Sequence, residues 1–233
     1  MVFGRSKSQR YRAPDGSLSR KLVVIGDSMV GKTRLVNRFV TGDYSEEFTT
    51  TMLDTLQAKV PYDSTDIHLT IYDTAGQPEL IDVRRSVYPA TDVILLCFDI
   101  SSPDSFNNIS DHWRPELQQI RKYTHCPLIL VGNKHDLRGQ PMTSDGAIRA
   151  ASGVSHGAAG SEGESEGESL ITYEEGKSLA HSLGAYAYLE CSSKTGAHVR
   201  EVFRAATLVA MQHKRFKKSR MPGCLPSCVS SAH

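Results

Sequence analysis

No apolar run in the chain approaches the roughly 20 residues that a bilayer-spanning helix requires, and the first 20 residues lack the apolar core of a secretion signal. A membrane-embedded or secreted protein is therefore not expected. Cysteine is scarce and odd in number: there are five, none spaced as a metal knuckle, and Cys97 and Cys191 sit inside apolar runs. A disulfide framework and a zinc ribbon are both excluded by that usage, and a reducing compartment is expected. An excess of one charge is also missing, because 27 Lys and Arg face 26 Asp and Glu. The basic residues gather instead at the two ends, as Arg5, Lys7, Arg10, Arg12, Arg20 and Lys21, and as Lys214, Arg215, Lys217, Lys218 and Arg220. What is present is ordinary for a soluble globular chain: 39% hydrophobic and 23% charged residues over 233 positions, enough for one core with extensions.

Short β-rich runs alternate with helical patterns from Lys21 onward. Leu22 to Ile25, Ile67 to Tyr72, Val93 to Phe98, Leu128 to Val131 and Tyr186 to Leu189 read as strands. Helices are expected from Gly31 to Phe39, Ser105 to Lys122, Tyr173 to Leu183, and from Ala197 into the basic tail, with Ser102 and Pro103 as a capped helix start. Alternation of this kind predicts an α/β fold, a mostly parallel sheet with helices on both faces. Residues 1–19 read as a basic, disordered N-terminal extension, 20–212 as the globular domain, and 213–233 as a basic, cysteine-containing tail. Residues 139–170 break the rhythm with a Gly-, Ser- and Glu-rich insertion that cannot bury apolar area against its ordering cost. It is either a flexible surface loop or a regulatory, partner-binding one.

Directly after the first strand, Gly26-Asp27-Ser28-Met29-Val30-Gly31-Lys32-Thr33 satisfies G-x-x-x-x-G-K-[ST], with a helix following. Glycines let backbone N–H groups turn inward around phosphate oxygens, and the helix start adds its positive end. Lys32 supplies a point charge near the β and γ phosphates, Thr33 is a ligand for Mg²⁺, and Arg34 joins the nucleotide contacts. A chance match in a chain this long is on the order of one percent at average glycine usage.

A P-loop does not choose its base, and Asn133-Lys134-His135-Asp136, behind the strand ending at Val131, does. The Asp136 carboxylate can accept from the ring N–H and the exocyclic amine of guanine, a pairing adenine cannot return. Two charge-assisted hydrogen bonds discriminate by roughly 10²- to 10⁴-fold, so GTP and GDP are expected over adenine nucleotides. Asp73-Thr74-Ala75-Gly76-Gln77 follows a strand and supplies the reacting end. There Asp73 holds Mg²⁺ through water, the Gly76 N–H senses a γ-phosphate, and Gln77 is the catalytic candidate that orients the attacking water. Thr51, in a polar loop before the second of these strands, completes the metal shell while a γ-phosphate is present. Ser192, Ser193 and Lys194 end the last strand and close over the guanine, Ser193 through its backbone N–H.

With these residues the chain resembles the Ras superfamily and, within it, the Rho family, over about residues 20–212. The Rho-like marks are Tyr88 to Phe98, Ser102 to Phe106, His112-Trp113-Arg114-Pro115-Glu116, and the extra residues after Asp136. The resemblance implies a Ras-like G domain with a mostly parallel six-stranded sheet. It implies that Tyr44 packs on the guanine, that residues 44–56 form a first switch and that residues 73–88 form a second. Protein effectors, exchange factors and GTPase-activating proteins are the implied partners, with actin signalling as the family's setting; nucleic acid is not expected, and a monomer is.

Several positions depart from that pattern. Ser28 stands where such proteins keep a glycine, beside the path of an activating protein's arginine finger, whose contribution is roughly 10³- to 10⁵-fold. Met29 adds bulk, and Pro78 restricts Gln77 and removes an N–H. Phe48, Met52, Leu53, Leu80, Asp82, Val83 and Ser86 alter the switch surfaces. Two readings stay open: a cycling GTPase with slow hydrolysis, and a GTP-loaded binding module governed by abundance and location. A P-loop phosphotransferase is a third, weakened by the guanine motif. The chain ends Ser230-Ser231-Ala232-His233 without a prenylation box. Cys224 and Cys228, beside the basic run, are candidate acylation sites for peripheral contact with the cytoplasmic face of the plasma membrane. A solvated tail, a site for acidic partners or a nuclear signal are the alternatives.

Overall fold

A computed structural model describes residues 17–45, 51–124, 126–138 and 170–219. The elements run β1 (Leu18–Gly26), α1 (Lys32–Thr41), β2 (Leu53–Tyr62), β3 (Thr65–Thr74), α2 (Ile81–Val87), β4 (Val93–Asp99), α3 (Pro103–Asn108), α4 (Arg114–Thr124), β5 (Leu128–Asn133), α5 (Tyr173–Ser182), β6 (Ala187–Glu190) and α6 (Val199–Ser219). They build one six-stranded sheet in the order β2-β3-β1-β4-β5-β6, all parallel except the antiparallel pair β2 and β3. Every residue of β4 and β5 is buried, as required of central strands covered on both faces.

Alternation along the strands divides the core in two. Leu22, Val24, Leu95 and Val131 face Leu35 of α1 and Val202, Phe203 and Ala206 of α6. Phe39 stacks on Phe203 at 3.9 Å between ring centroids. Val23, Ile25, Ile94, Leu96 and Phe98 face the opposite layer, with Trp113, Leu117 and Ala180.

The expected α/β architecture is found, with differences at particular elements. Edge strand β2 is not evident as a strand in the sequence because only Val60 of its ten residues is buried and Pro61 lies near its end, a residue an edge tolerates. The helix expected from Ser105 to Lys122 is instead α3 and α4 joined through a π-turn at Ile109–Trp113. Ser102 caps its start, accepting from Ser105 N at 3.2 Å, with Pro103 following. Residues 73–88, expected as a second switch, contain a 3₁₀ turn at Pro78–Leu80 and then α2. Leu18 and Ser19, assigned to the N-terminal extension, pair with Ile67 and His68. At the other end α6 continues to Ser219, past the expected domain boundary at 212. The centre of the insertion lies outside the described residues, but its flanks are fixed. Arg138 donates to Glu190 and to the Ile171 carbonyl, and Ile171 N donates to Ile100 O at 2.8 Å. Among the described residues no helix is long and apolar enough to cross a membrane.

Candidate functional site

β1 lies between β3 and β4, and the chain runs from β1 through α1 to the β2–β3 side of the sheet and then from β3 through α2 to β4 on the other, so the end of β1 is the topological switch point where α/β sheets open a crevice. The loop from Gly26 to Gly31 fills that position. A Cβ on Gly26 would stand 2.1 Å from the Cys97 carbonyl oxygen, so only glycine lets the loop leave the sheet there. Gly31, left-handed at φ +93°, precedes α1 with no side-chain cap and no acidic residue in the first turn. The helix start therefore presents backbone donors suited to an anion. Lys32 is buried, and its Nζ donates to Gly26 O at 2.7 Å and Asp27 O at 2.6 Å. Burial lowers its pKa, against the opposing pull of Asp73.

The Thr33 and Thr51 hydroxyls meet at 2.9 Å although 18 residues separate them. Beside them the Asp73 carboxylate is fully buried, with neither oxygen in a hydrogen bond of normal geometry. Burial raises its pKa from 3.8 to about 6, while the nearby Thr33 hydroxyl and Lys32 hold it down. A desolvated carboxylate with no hydrogen bond of normal geometry, next to two hydroxyls, is a donor set of oxygen alone and fits a hard divalent cation such as Mg²⁺. Ser28, Lys32, Thr33, Tyr44, Thr51 and Gln77 border a cavity of about 600 Å³ here.

Most of the expected phosphate-side residues converge on this cavity. Gly76 is packed so tightly that a Cβ would lie 2.3 Å from the Ser28 nitrogen, leaving its backbone against the phosphate loop. Gln77 is exposed beside it, as are Ser28 and Met29, the latter left-handed at φ +68°. Val30 is buried, and the Arg34 guanidinium lies 5.7 Å from the centre of the Tyr44 ring. Asp27, expected among the nucleotide contacts, has its carboxylate bonded to protein, accepting from Asn108 Nδ2 and Trp113 Nε1, each at 2.6 Å, which leaves its backbone in the phosphate loop.

The base-side residues form a second group that does not line the cavity. Asp136 accepts from the Ser192 hydroxyl at 2.6 Å, and His135 N donates to Cys191 O at 3.1 Å, so the two loops that follow β5 and β6 are tied together. Asn133 commits its side chain to protein, donating to Val30 O at 2.8 Å and accepting from the Cys191 thiol at 3.3 Å. Lys134, left-handed at φ +64°, pairs with Asp99 at 2.5 Å, while Ser193 is half-buried and Lys194 exposed. Beneath this group Glu190 receives His135 Nδ1 at 2.7 Å, Tyr188 Oη at 2.7 Å and Arg138 Nη2 at 2.8 Å. Burial works against its charge, yet these partners keep its pKa below the ordinary value.

Sequence reasoning missed Arg84, which donates to the backbone on either side of Gly76, and it gave Trp113 and Glu116 no site role. The run His112 to Glu116 was the available signal, read only as a family mark. Cys224, Cys228 and Phe48 lie outside the described residues.

A family model described as the Ras family matches residues 21–212, spanning the phosphate loop, both threonines, Asp73 to Gln77, the Asn133 to Asp136 turn and the loop at Ser192. On that match, and on a six-stranded sheet with the phosphate loop at its switch point, the chain belongs to the Ras family of small GTP-binding switch proteins, which act as GTPases.

Proposed function

We propose that this chain is a Rho-type switch that binds GTP and GDP with Mg²⁺ and hydrolyses GTP slowly. The observation that carries the metal-assisted part of this reading is the orphaned Asp73 carboxylate beside the Thr33–Thr51 hydroxyl pair. In the proposed arrangement Thr33, Thr51 and Asp73, the last through water, hold the cation. When bound, Mg²⁺ neutralises charge on the β and γ phosphates. Lys32, now on two loop carbonyls, is placed to exchange them for phosphate oxygens. Gly76 N–H faces the γ-phosphate, and Gln77 accepts from the attacking water and aligns it. Asp136 reads guanine while Ser192 steadies it; Ser193 N–H, Lys194 and Tyr44 border the purine.

Slow turnover is read from three positions. Ser28 and Met29 are exposed at the rim of the cavity beside Gln77, where an activating protein would insert an arginine, and Pro78 opens the turn directly after Gln77. The same exposure supports a second reading, a GTP-loaded module with negligible turnover. Calorimetry on nucleotide-stripped protein tests the binding proposal, and equal affinity for GDP and ADP would refute it. Single-turnover hydrolysis with and without a Rho-type activating protein separates the two readings. If Ser28→Gly leaves both rates unchanged, the account of slow turnover is wrong. We further propose that the tail over residues 213–233, with its basic run from Lys214 to Arg220 and with Cys224 and Cys228, brings the protein to the cytoplasmic face of a membrane, where effectors meet its switch regions. Vesicle sedimentation of the full chain with and without acylation tests that step.

A further inference from the structure

We propose that Arg84 is a positioning residue that presets the hydrolytic loop against the phosphate loop; the proposal rests on the reading of this site as a guanine-nucleotide switch. Arg84 lies on α2, only 3% exposed. A guanidinium removed from water to this degree is stable only if its N–H groups are met. Its Nε and Nη2 form a fork on the two oxygens of Glu116, each at 3.1 Å, and its flat face lies 4.9 Å from the centre of the Trp113 ring. Tyr88 donates its hydroxyl to the same carboxylate. The remaining nitrogen, Nη1, donates to Ala75 O at 3.1 Å and to Gln77 O at 2.7 Å.

Those two carbonyls flank Gly76. The Ala75 oxygen and the Gly76 N–H belong to one planar trans peptide and point in opposite directions, so holding the oxygen on Arg84 fixes the direction in which Gly76 can donate. The Gln77 oxygen belongs to the peptide that leads into Pro78, so the same guanidinium fixes the main chain from which the Gln77 side chain projects. Arg84 therefore sets both groups proposed to act on the γ-phosphate while touching neither the nucleotide nor the water.

The other half of the argument is what Arg84 is anchored to. Trp113 ends the π-turn between α3 and α4, a local widening that recurs at functional sites. One face of its ring meets Arg84, and its Nε1 donates to Asp27 of the phosphate loop at 2.6 Å, with Asn108 holding the second Asp27 oxygen. Phosphate loop and hydrolytic loop are thus both hung from one helical shelf. Their spacing is set by that shelf, with Gly76 lying against Ser28 of the phosphate loop.

The test uses the full chain and its Arg84→Lys and Arg84→Gln variants, with Phe39→Leu as a control that loosens the core on the α6 side of the sheet without touching either loop. Three quantities are read: GDP affinity, the ratio of GTP-analogue to GDP affinity, and the single-turnover hydrolysis rate. Because the ratio reports Gly76 directly, it remains informative where turnover is slow. Both Arg84 variants are expected to keep GDP affinity within about 3-fold while the ratio and the rate fall by about 10-fold or more, the cost of a small misplacement of reacting groups. Phe39→Leu is expected to lower the melting temperature with ratio and rate unchanged. Arg84 variants that keep both the wild-type ratio and the wild-type rate overturn the assignment. So does a fall in ratio and rate that Phe39→Leu reproduces at equal loss of stability, because Arg84 would then act only as core. A wild-type chain that binds ADP as well as GDP overturns the reading of the site, and this assignment with it.

Discussion

Asp73 makes the metal-free protein a test of its own chemistry. Burial raises its pKa from 3.8 to about 6, so between those values the native state binds more protons than the unfolded one. The contribution of this group to stability is complete below the unfolded value and is lost as pH rises through the folded one. The full shift corresponds to about 3 kcal/mol, and integration from pH 5 to pH 7 gives a loss of about 1.3 kcal/mol. The measurement is a difference, so that contributions from other groups cancel: urea unfolding of nucleotide- and metal-free protein at both pH values, for the native chain and for Asp73→Ala. The native chain is expected to lose about 1.3 kcal/mol more than the variant between pH 5 and pH 7. Saturating Mg²⁺ and GDP should abolish that difference, because the cation requires the carboxylate and its affinity falls as Asp73 is protonated below about pH 6. A difference between the two chains that does not change with pH would refute the claim that Asp73 is an ionised, uncompensated carboxylate awaiting a cation.

Three further outcomes are expected. Met29→Gly removes a side chain from left-handed backbone and should raise stability by about 1 kcal/mol, or the melting temperature by roughly 2–4 °C; a lower melting temperature would contradict it. Gly76→Ala forces a Cβ to within 2.3 Å of phosphate-loop backbone. Displacement of that loop should cut GTP hydrolysis by about 100-fold with guanine preference kept, and single-turnover assays at wild-type rate would count against the packing described. Asp136→Ala should weaken GDP binding by roughly 10²- to 10⁴-fold and leave ADP binding unchanged, and calorimetry showing an equal loss for both would remove Asp136 from base recognition.

The parts of the site that announced themselves in the sequence are those whose chemistry constrains residue type at fixed spacing. Gly26, Gly31, Lys32 and Thr33 are of this kind, because backbone approach and phosphate charge leave few substitutes. Strands β4 and β5 were equally plain, being buried along their whole length. Edge strand β2 was hidden because a strand with one buried residue in ten leaves little apolar signal. The π-turn was hidden because an added residue in a helical turn leaves the apolar spacing almost intact. Arg84 was unreadable for a different reason. On α2 it is one of two adjacent arginines, and only folding buries Arg84 at 3% exposure while Arg85 stays exposed, bonding Gln119. For Asn133 and Asp27 the sequence placed the residues in their loops and left open the side-chain partners, Val30 and Cys191 for the one and Asn108 and Trp113 for the other, since a sequence gives no direction to a side chain.

The Asn133 bonds bear on how the proposed binding and slow turnover would be separable. Asn133 joins the end of β5 to Val30 in the phosphate loop and to Cys191 before Ser192. Separating the base-reading loops from the phosphate loop would leave a buried amide without partners, a penalty of about 1–3 kcal/mol. Purine and phosphate recognition are therefore held together by a bond on the inner side of the loop, where Val30 and Asn133 are both buried. Ser28 and Met29 lie on the outer side, exposed, and neither takes part in that tie. A loop built in this way tolerates bulk at its rim without loosening its hold on guanine nucleotide. If an activating protein reaches the γ-phosphate past this rim, as proposed, change at these two positions would fall on assisted hydrolysis and leave affinity alone.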